Sequence, residues 1–254
     1  MQLVVLAAGL GTRFGGLKQL ASVGPDDEAI MDVLLERAAR SGFDRAAVVV
    51  RSEIETLVVA HLSEFPPALS TRIVVQPVPD GRQRPLGTAH AVLCCRGEID
   101  GPFAVVNADD LYPDEAFVAL APCLATSHGH ALVAFRLERT LVADRPVSRA
   151  LVRVDPDNDC LAAIEENTTV QRSSVTGDAW VSMNMWGFQP AIFGDLEQAV
   201  DAFTASERPG EVLLPDVAAA MVARGAKIRV LRCDKPCIGI TYAEDVAAVR
   251  AALA

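Results

Sequence analysis

Leu6-Ala7-Ala8-Gly9-Leu10-Gly11-Thr12-Arg13-Phe14-Gly15-Gly16-Leu17-Lys18-Gln19 follows directly on the apolar run Leu3 to Leu6, which reads as a buried strand. A glycine-rich stretch leaving such a strand predicts a phosphate-binding loop. Gly9 and Gly11 can take backbone angles closed to other residues, so main-chain N–H groups approach a polyphosphate, and Arg13 and Lys18 bring two cations to the same place. The ligand expected for that combination is a nucleoside triphosphate.

A dinucleotide-binding loop also carries Gly-x-Gly after a first strand. There the helix begins at the glycines and a third glycine stands where this chain has Phe14. Here Gly24-Pro25-Asp26-Asp27 delays the next helix to about Glu28, and a long loop over a polyphosphate fits that delay. After the second apolar run comes Arg51 rather than an acid, so among such cofactors only a phosphorylated nicotinamide stays in competition.

Outward from the loop, apolar runs alternate with helical patterns: strands near 2–7, 45–50, 72–76 and 102–107, helices near 28–41, 53–63, 87–95 and 113–125. This strand–helix–strand rhythm predicts an α/β fold around a mainly parallel sheet. In the first helix Ile30, Val33, Leu34 and Ala38 share a face, and Gly42 stops it. From about residue 130 extended segments dominate, Ala131 to Leu137, Ala150 to Val154, Cys160 to Ile164 and Val181 to Phe188. Helices return near 190–204, 213–224 and 242–253, with a strand near 227–232. Without repeats, a low-complexity linker or a composition break, the expectation is one domain over 1–254, with a nucleotide-binding lobe of about 1–125 and an acceptor-binding lobe of about 126–254.

The 254 residues carry 33 acids against 23 lysines and arginines, a net charge of −10. That balance argues against a nucleic-acid-binding surface, which needs an excess of cations to neutralise phosphates. No apolar run approaches the roughly 20 residues that span a membrane, and no basic segment precedes the first one. A cytoplasmic protein is expected. The six cysteines show neither zinc-like spacing nor a disulfide framework.

Three further segments carry chemistry. Gln76-Pro77-Val78-Pro79-Asp80-Gly81 offers a side-chain amide, a donor and an acceptor together, suited to a pyrimidine edge. Pro85-Leu86-Gly87-Thr88-Ala89-His90-Ala91 follows, with His90 expected to be satisfied within its helix. Asn107-Ala108-Asp109-Asp110 ends the fourth strand, at the carboxyl edge where open α/β sheets place ligands. A carboxylate there can hold Mg²⁺, a hard cation that prefers oxygen.

Together, Gly9 to Arg13 with Lys18-Gln19-Leu20, the Gln76 to Gly81 and Leu86 to Ala91 loops and the Asp109-Asp110 pair resemble the signature of the sugar-1-phosphate nucleotidyltransferases. The resemblance implies a GT-A-like nucleotidyltransferase fold, a Rossmann-like α/β/α sandwich with a mainly parallel mixed sheet. It implies Mg²⁺-dependent transfer from UTP or dTTP to a sugar-1-phosphate or similar phosphorylated polyol, with release of pyrophosphate. Arg13 then neutralises the departing phosphates, Lys18 bridges the α-phosphate and the incoming phosphate, and Asp109 holds the metal. Leu6, Ala7, Ala8, Gly9, Gly11, Thr12, Gln76, Gly81, Gly87 and Thr88 contact the nucleotide, Gly87 letting the nucleoside lie against the backbone, and Asp110 turns towards the ribose or simply caps the following loop. Glu165 or Glu166 and Asn184 grip the sugar, while Trp186 is expected in the core.

The chain departs from that pattern twice. Asn167 stands where relatives carry a lysine for the sugar phosphate. Gly239-Ile240-Thr241-Tyr242 lacks the second metal-binding acid, and Thr241 with Glu244 reads as a helix capping box. A cytidylyltransferase for a phosphorylated alcohol, a molybdenum-cofactor-type nucleotidyltransferase and a catalytically weakened regulatory protein share the front half of this pattern. The partners expected are small anionic molecules, and homo-oligomerisation is left open.

Overall fold

The computed structural model describes residues 1–9, 11–126, 129–171, 178–206 and 208–253. In chain order the first half contains β1 (Gln2–Leu6), α1 (Ile30–Arg40), β2 (Arg45–Val50), α2 (Ser52–Glu64), β3 (Ser70–Val75), α3 (Thr88–Cys94), β4 (Phe103–Asn107), β5 (Asp110–Leu111) and α4 (Asp114–Thr126). The second half contains β6 (His130–Arg136), β7 (Val147–Val154), β8 (Leu161–Val170), β9 (Trp180–Phe188), α5 (Ile192–Ala205), α6 (Leu214–Ala223), β10 (Ile228–Cys233), β11 (Ile238–Gly239) and α7 (Asp245–Leu253).

β1 is buried along its whole length because it runs through the middle of a sheet ordered β10-β6-β9-β4-β1-β2-β3. It pairs in parallel with β2 and β4, and β2 with β3. Successive side chains of a strand face opposite ways. Leu3 and Val5 therefore pack with Leu34, Val58 and Phe117 of α1, α2 and α4, while Val4 and Leu6 pack with Val92, Leu196 and Val217 of α3, α5 and α6. The α/β/α layering with a mainly parallel mixed sheet is the predicted one. A smaller cluster, Val23, Ile30, Leu111, Ile240 and Val249, fastens α7 and the β5–β11 pair to the start of α1.

β9 sets the shape of the cleft. It runs antiparallel beside β6, but its other edge is shared: β4 takes Trp186, Gly187 and Phe188, and β7 takes Trp180, Val181 and Ser182. Between those ladders the register slips, with Leu132 and Ala134 of β6 opposite Trp186 and Ser182. The extra residues form a bulge in which Asn184 has φ 55°, a conformation that Asn tolerates better than other side chains. The sheet forks at this bulge.

The second half corrects one local reading. Asp245, not the Thr241–Glu244 pair, caps α7: its Oδ2 accepts from the Thr241 and Tyr242 amides at 2.9 and 2.8 Å. Glu244 instead pairs with Arg145. Among the described residues no helix is long and apolar enough to cross a membrane.

Candidate active site

A cavity of about 380 Å³ opens over the carboxyl ends of β1 and β4. Its floor is the glycine loop. Gly11 has φ 59°, and a Cβ there would lie 2.6 Å from the Gly16 carbonyl. The loop turns on itself at this point, with the Phe14 and Gly15 amides donating to the Gly11 carbonyl at 2.9 and 3.0 Å. A short 3-10 turn over Lys18–Leu20, which the sequence did not announce, follows. The buried Gln19 side chain donates through Nε2 to the Ala7 carbonyl at 3.0 Å, stapling the turn onto the start of the loop. Lys18 is thereby held against Asp109, with which it forms an ion pair. Leu6, Ala7, Ala8, Gly9, Gly11, Thr12, Arg13, Lys18 and Asp109, all singled out from the sequence, line this cavity.

Asp109 and Asp110 lie on opposite sides of the chain. Asp109 faces the cleft. Asp110 is buried opposite Gly239 in the β5–β11 ladder and does not line the cavity, which corrects its predicted contact with the nucleotide. Burial first, then the neighbouring Asp109 carboxylate, pushes the Asp110 carboxyl up to about 6, against the pull of Arg149 and of the Asn107 hydrogen bond. Its Oδ2 accepts from Asn107 Nδ2 at 2.8 Å and from the Tyr112 hydroxyl at 3.3 Å. Asn107 Oδ1 in turn accepts from Asn184 Nδ2 at 3.4 Å, and Asn184 Oδ1 accepts from Trp186 Nε1 at 3.3 Å. This chain of bonds fixes both amides in orientation. Trp186 is fully buried and stacked on Phe188, in the core as expected.

On the opposite wall Gln76 is buried, and its amide nitrogen is already engaged, 2.9 Å from the Gly87 carbonyl and 3.2 Å from His90 Nδ1. Among the described residues only its carbonyl oxygen has no partner, so the side chain offers the cleft an acceptor rather than the predicted donor–acceptor pair. His90 is satisfied locally, as read, and burial lowers its pKa. Gly87 lines the cavity, yet its conformation has another cause. With φ 109°, a Cβ would meet the Val212 carbonyl at 2.5 Å. Segment 212–214 is laced to residues 86–89 by Val212 N to Leu86 O (2.7 Å), Ala89 N to Val212 O (3.1 Å) and Leu214 N to Thr88 Oγ1 (3.0 Å). Gly81 lies in an exposed turn outside the cavity, a second correction.

A second cavity, of about 850 Å³, shares Arg13, Arg84, Thr88, Asn184 and Glu211 with the first. Glu166 lines it and Glu165, exposed on the other side of β8, does not. Burial first, then Asp216, raises the Glu166 pKa, opposed by Arg149. The Asn167 side chain lies outside the described residues. Sequence reading missed Arg84, Asn107 and Glu211. Gly210-Glu211 ahead of the proline-started helix α6 was the available signal for the last. Near the mouth, Tyr242 carries Arg145 over its ring at 4.3 Å and Arg13 at 5.8 Å, and Arg145 is tied to Asp245 and Glu244.

Among the described residues no group of three or more His, Cys, Asp or Glu side chains is arranged to hold a metal ion. Asp109 supplies a single hard oxygen donor in the cleft. Mg²⁺ is commonly held by one or two carboxylates with substrate phosphates and water completing its shell, and a lone aspartate beside a phosphate loop fits that mode.

The family model described as the MobA-like NTP transferase domain matches residues 3–172. No curated protein matches the chain at the sequence level. Among solved structures, the inositol-1-phosphate CTP transferase from T. maritima superposes with a TM-score of 0.73 at 14% identity, covering 98% of this chain and 94% of that one. A UDP-glucose pyrophosphorylase complexed with UDP-glucose gives 0.71 at 17%, covering 99% and 97%. The UTP-bound UGPase from Acinetobacter baumannii gives 0.69 at 19%, covering 99% and 92%. At these identities the likeness shows the fold, which is that of nucleotidyltransferases.

Proposed function

This chain belongs to the MobA-like NTP transferase domain family and is a nucleotidyltransferase, and from that premise we propose that it joins UTP or dTTP to a sugar-1-phosphate or closely similar polyol phosphate. The observation that carries the reading is the pair of joined cavities: a glycine-loop cleft with Arg13, Lys18 and Asp109, opening into a polar chamber with Glu166, Asn184 and Glu211. The chamber's described lining contains no aromatic side chain. A quaternary ammonium acceptor is normally held by aromatic faces and a pterin needs a flat apolar surface, whereas carboxylates and amides accept and donate to sugar hydroxyls. The division into nucleotide and acceptor lobes belongs to the same reading, although Arg13, Arg82, Arg84 and Thr88 reach across it.

In the transfer, an oxygen of the acceptor phosphate attacks the α-phosphorus, a new O–P bond forms, and the α–β anhydride bond breaks with its electron pair leaving on pyrophosphate. The attacking group is already anionic, so no base is required. Catalysis rests on alignment and on charge stabilisation. Main-chain amides of the glycine loop cradle the triphosphate, and Arg13, resting on Tyr242, faces the departing charge. Lys18 exchanges Asp109 for phosphate oxygens. Asp109 would hold Mg²⁺, which supplies charge neutralisation between the phosphates. Gln76 accepts from the N3–H of uracil or thymine. The amino groups of cytosine and adenine and the N1–H of guanine also fit a lone acceptor, so the preference for UTP or dTTP rests on the resemblance of the Gln76 to Gly81 and Leu86 to Ala91 loops, with CTP as the second reading.

Pyrophosphate release tests this directly, with UTP, dTTP, CTP, ATP and GTP each offered glucose-1-phosphate, mannose-1-phosphate, galactose-1-phosphate and inositol-1-phosphate. UTP or dTTP should exceed the purine nucleotides by at least about tenfold, the scale of one good hydrogen bond. Equal or better turnover with a purine nucleotide sinks the base assignment.

A further inference from the structure

The meeting of two phosphates at one point sets a charge problem that the described residues solve in one way. The acceptor phosphate and the triphosphate approach each other where the two cavities join, and like charges brought that close repel strongly unless cations stand beside them. Of the nearby cations, Lys18 lies in the first cavity only and is paired with Asp109. Arg82 lines the second cavity, but its guanidinium donates to the Gly210 carbonyl and lies over the Phe203 ring. Arg149 is bonded to Thr140 and Ser148. Two arginines line both cavities, Arg13 and Arg84.

Arg13 belongs to the glycine loop and rests on Tyr242, on the triphosphate side. Arg84 has no hydrogen-bond, ion-pair or ring partner among the described residues, although it stands at the seam beside Thr88 and Glu211. It is held there from behind: Pro85 and Leu86 are buried, and Leu86 is bonded to Val212. The main chain is thus anchored within two residues while the guanidinium stays available. A guanidinium can grip a phosphate through two parallel N–H···O bonds, which fixes both its position and its orientation for attack.

We propose that Arg84 is the anchor for the acceptor's phosphate, so that the acceptor must be a phosphate monoester and its charge, more than its ring, decides binding. This rests on the nucleotidyl-transfer reading given above. It also accounts for Asn167 standing where a cation would otherwise be expected: in this chain the cation comes from the loop before α3 rather than from β8.

The test uses the best nucleotide and acceptor from the pyrophosphate-release panel, with both KM values and kcat measured for each variant. Arg84→Ala should raise the acceptor KM at least about tenfold while the nucleotide KM stays within about twofold, the loss of one charge-assisted contact. Arg84→Lys should recover part of that affinity, because the charge returns without the fork. The melting temperature of Arg84→Ala should match wild type, whereas Arg82→Ala, which removes a bonded strut, should lower it. An unchanged acceptor KM in Arg84→Ala overturns the proposal. So does an equal rise in both KM values, which would make Arg84 a triphosphate residue. Wild-type protein silent on every pair in the panel would instead defeat the transfer reading itself, and the two failures are therefore told apart.

Discussion

The two sides of the cleft are built on opposite plans. The wall that the proposed function gives to the triphosphate comes from the first strand's end and the residues soon after it, shaped by Gly11 and stapled by Gln19. The wall that it gives to the acceptor is gathered from Arg84, Glu166, Asn184 and Glu211, which belong to four distant segments and meet only because β9 forks and segment 212–214 is laced to residues 86–89. A contiguous loop is set by local backbone chemistry. A gathered wall depends on register. On the proposed function, the difference puts the chemistry common to many acceptors where folding is most local, and discrimination among acceptors where it is least so.

Mutation of each side should break different quantities. The largest effect is expected at Asp109: Asp109→Asn should reduce Mg²⁺-dependent turnover to background, while Asp110→Asn should retain activity within about tenfold, since it perturbs hydrogen bonds to Asn107 and Tyr112 outside the cavity lining. Turnover assays with a magnesium titration compare the two, and the reverse order would put the metal on Asp110. Next, Arg13→Ala and Lys18→Ala should each lower kcat by about a hundredfold or more, the cost of removing preorganised stabilisation of the transition state. Circular dichroism should show an unaltered fold. Near-normal kcat in both would make the loop merely structural.

On the gathered side the effects should fall on acceptor KM instead. Asn184→Gly should lower thermal stability, because the buried Trp186 Nε1–H loses its acceptor even though glycine suits φ 55°, and should raise the acceptor KM. Asn184→Ala should do the same to KM and destabilise further, by about 1–2 kcal/mol for a left-handed alanine. If Asn184→Gly binds acceptor normally, the residue serves the bulge alone. The smallest contrast is between adjacent glutamates: Glu166→Gln should raise the acceptor KM by about tenfold and Glu165→Gln by less than about twofold.

Where the sequence could be read, a local rule sufficed. β2 matches its predicted span of 45–50, and the loop residues singled out from the sequence line one cavity. The paired glutamates Glu165 and Glu166 could not be separated, because adjacent residues in a strand face opposite ways and only the tertiary partner decides which way is in. Asp110 went inward because β11, two residues long, pairs with β5 from far along the chain. Gln76 was misjudged for a related reason: the Gly87 carbonyl and His90 engage its amide nitrogen, and neither bond is visible from residue type. Arg84 drew no attention since a single arginine in a polar loop has no pattern of its own.

The fork in β9 also fixes the order in which the molecule can become competent. The family match ends at residue 172, before β9 begins, so a nascent chain that has just completed the family's shared region holds the loop, Lys18 and Asp109 but neither Asn184 nor Glu211. Phe103 must find Phe188, and Ala150 must find Ser182, before there is a place for an acceptor. Such pairings across a long stretch of chain form slowly. During synthesis the wall that carries Asn184 and Glu211 is therefore the last part of the two cavities to be assembled.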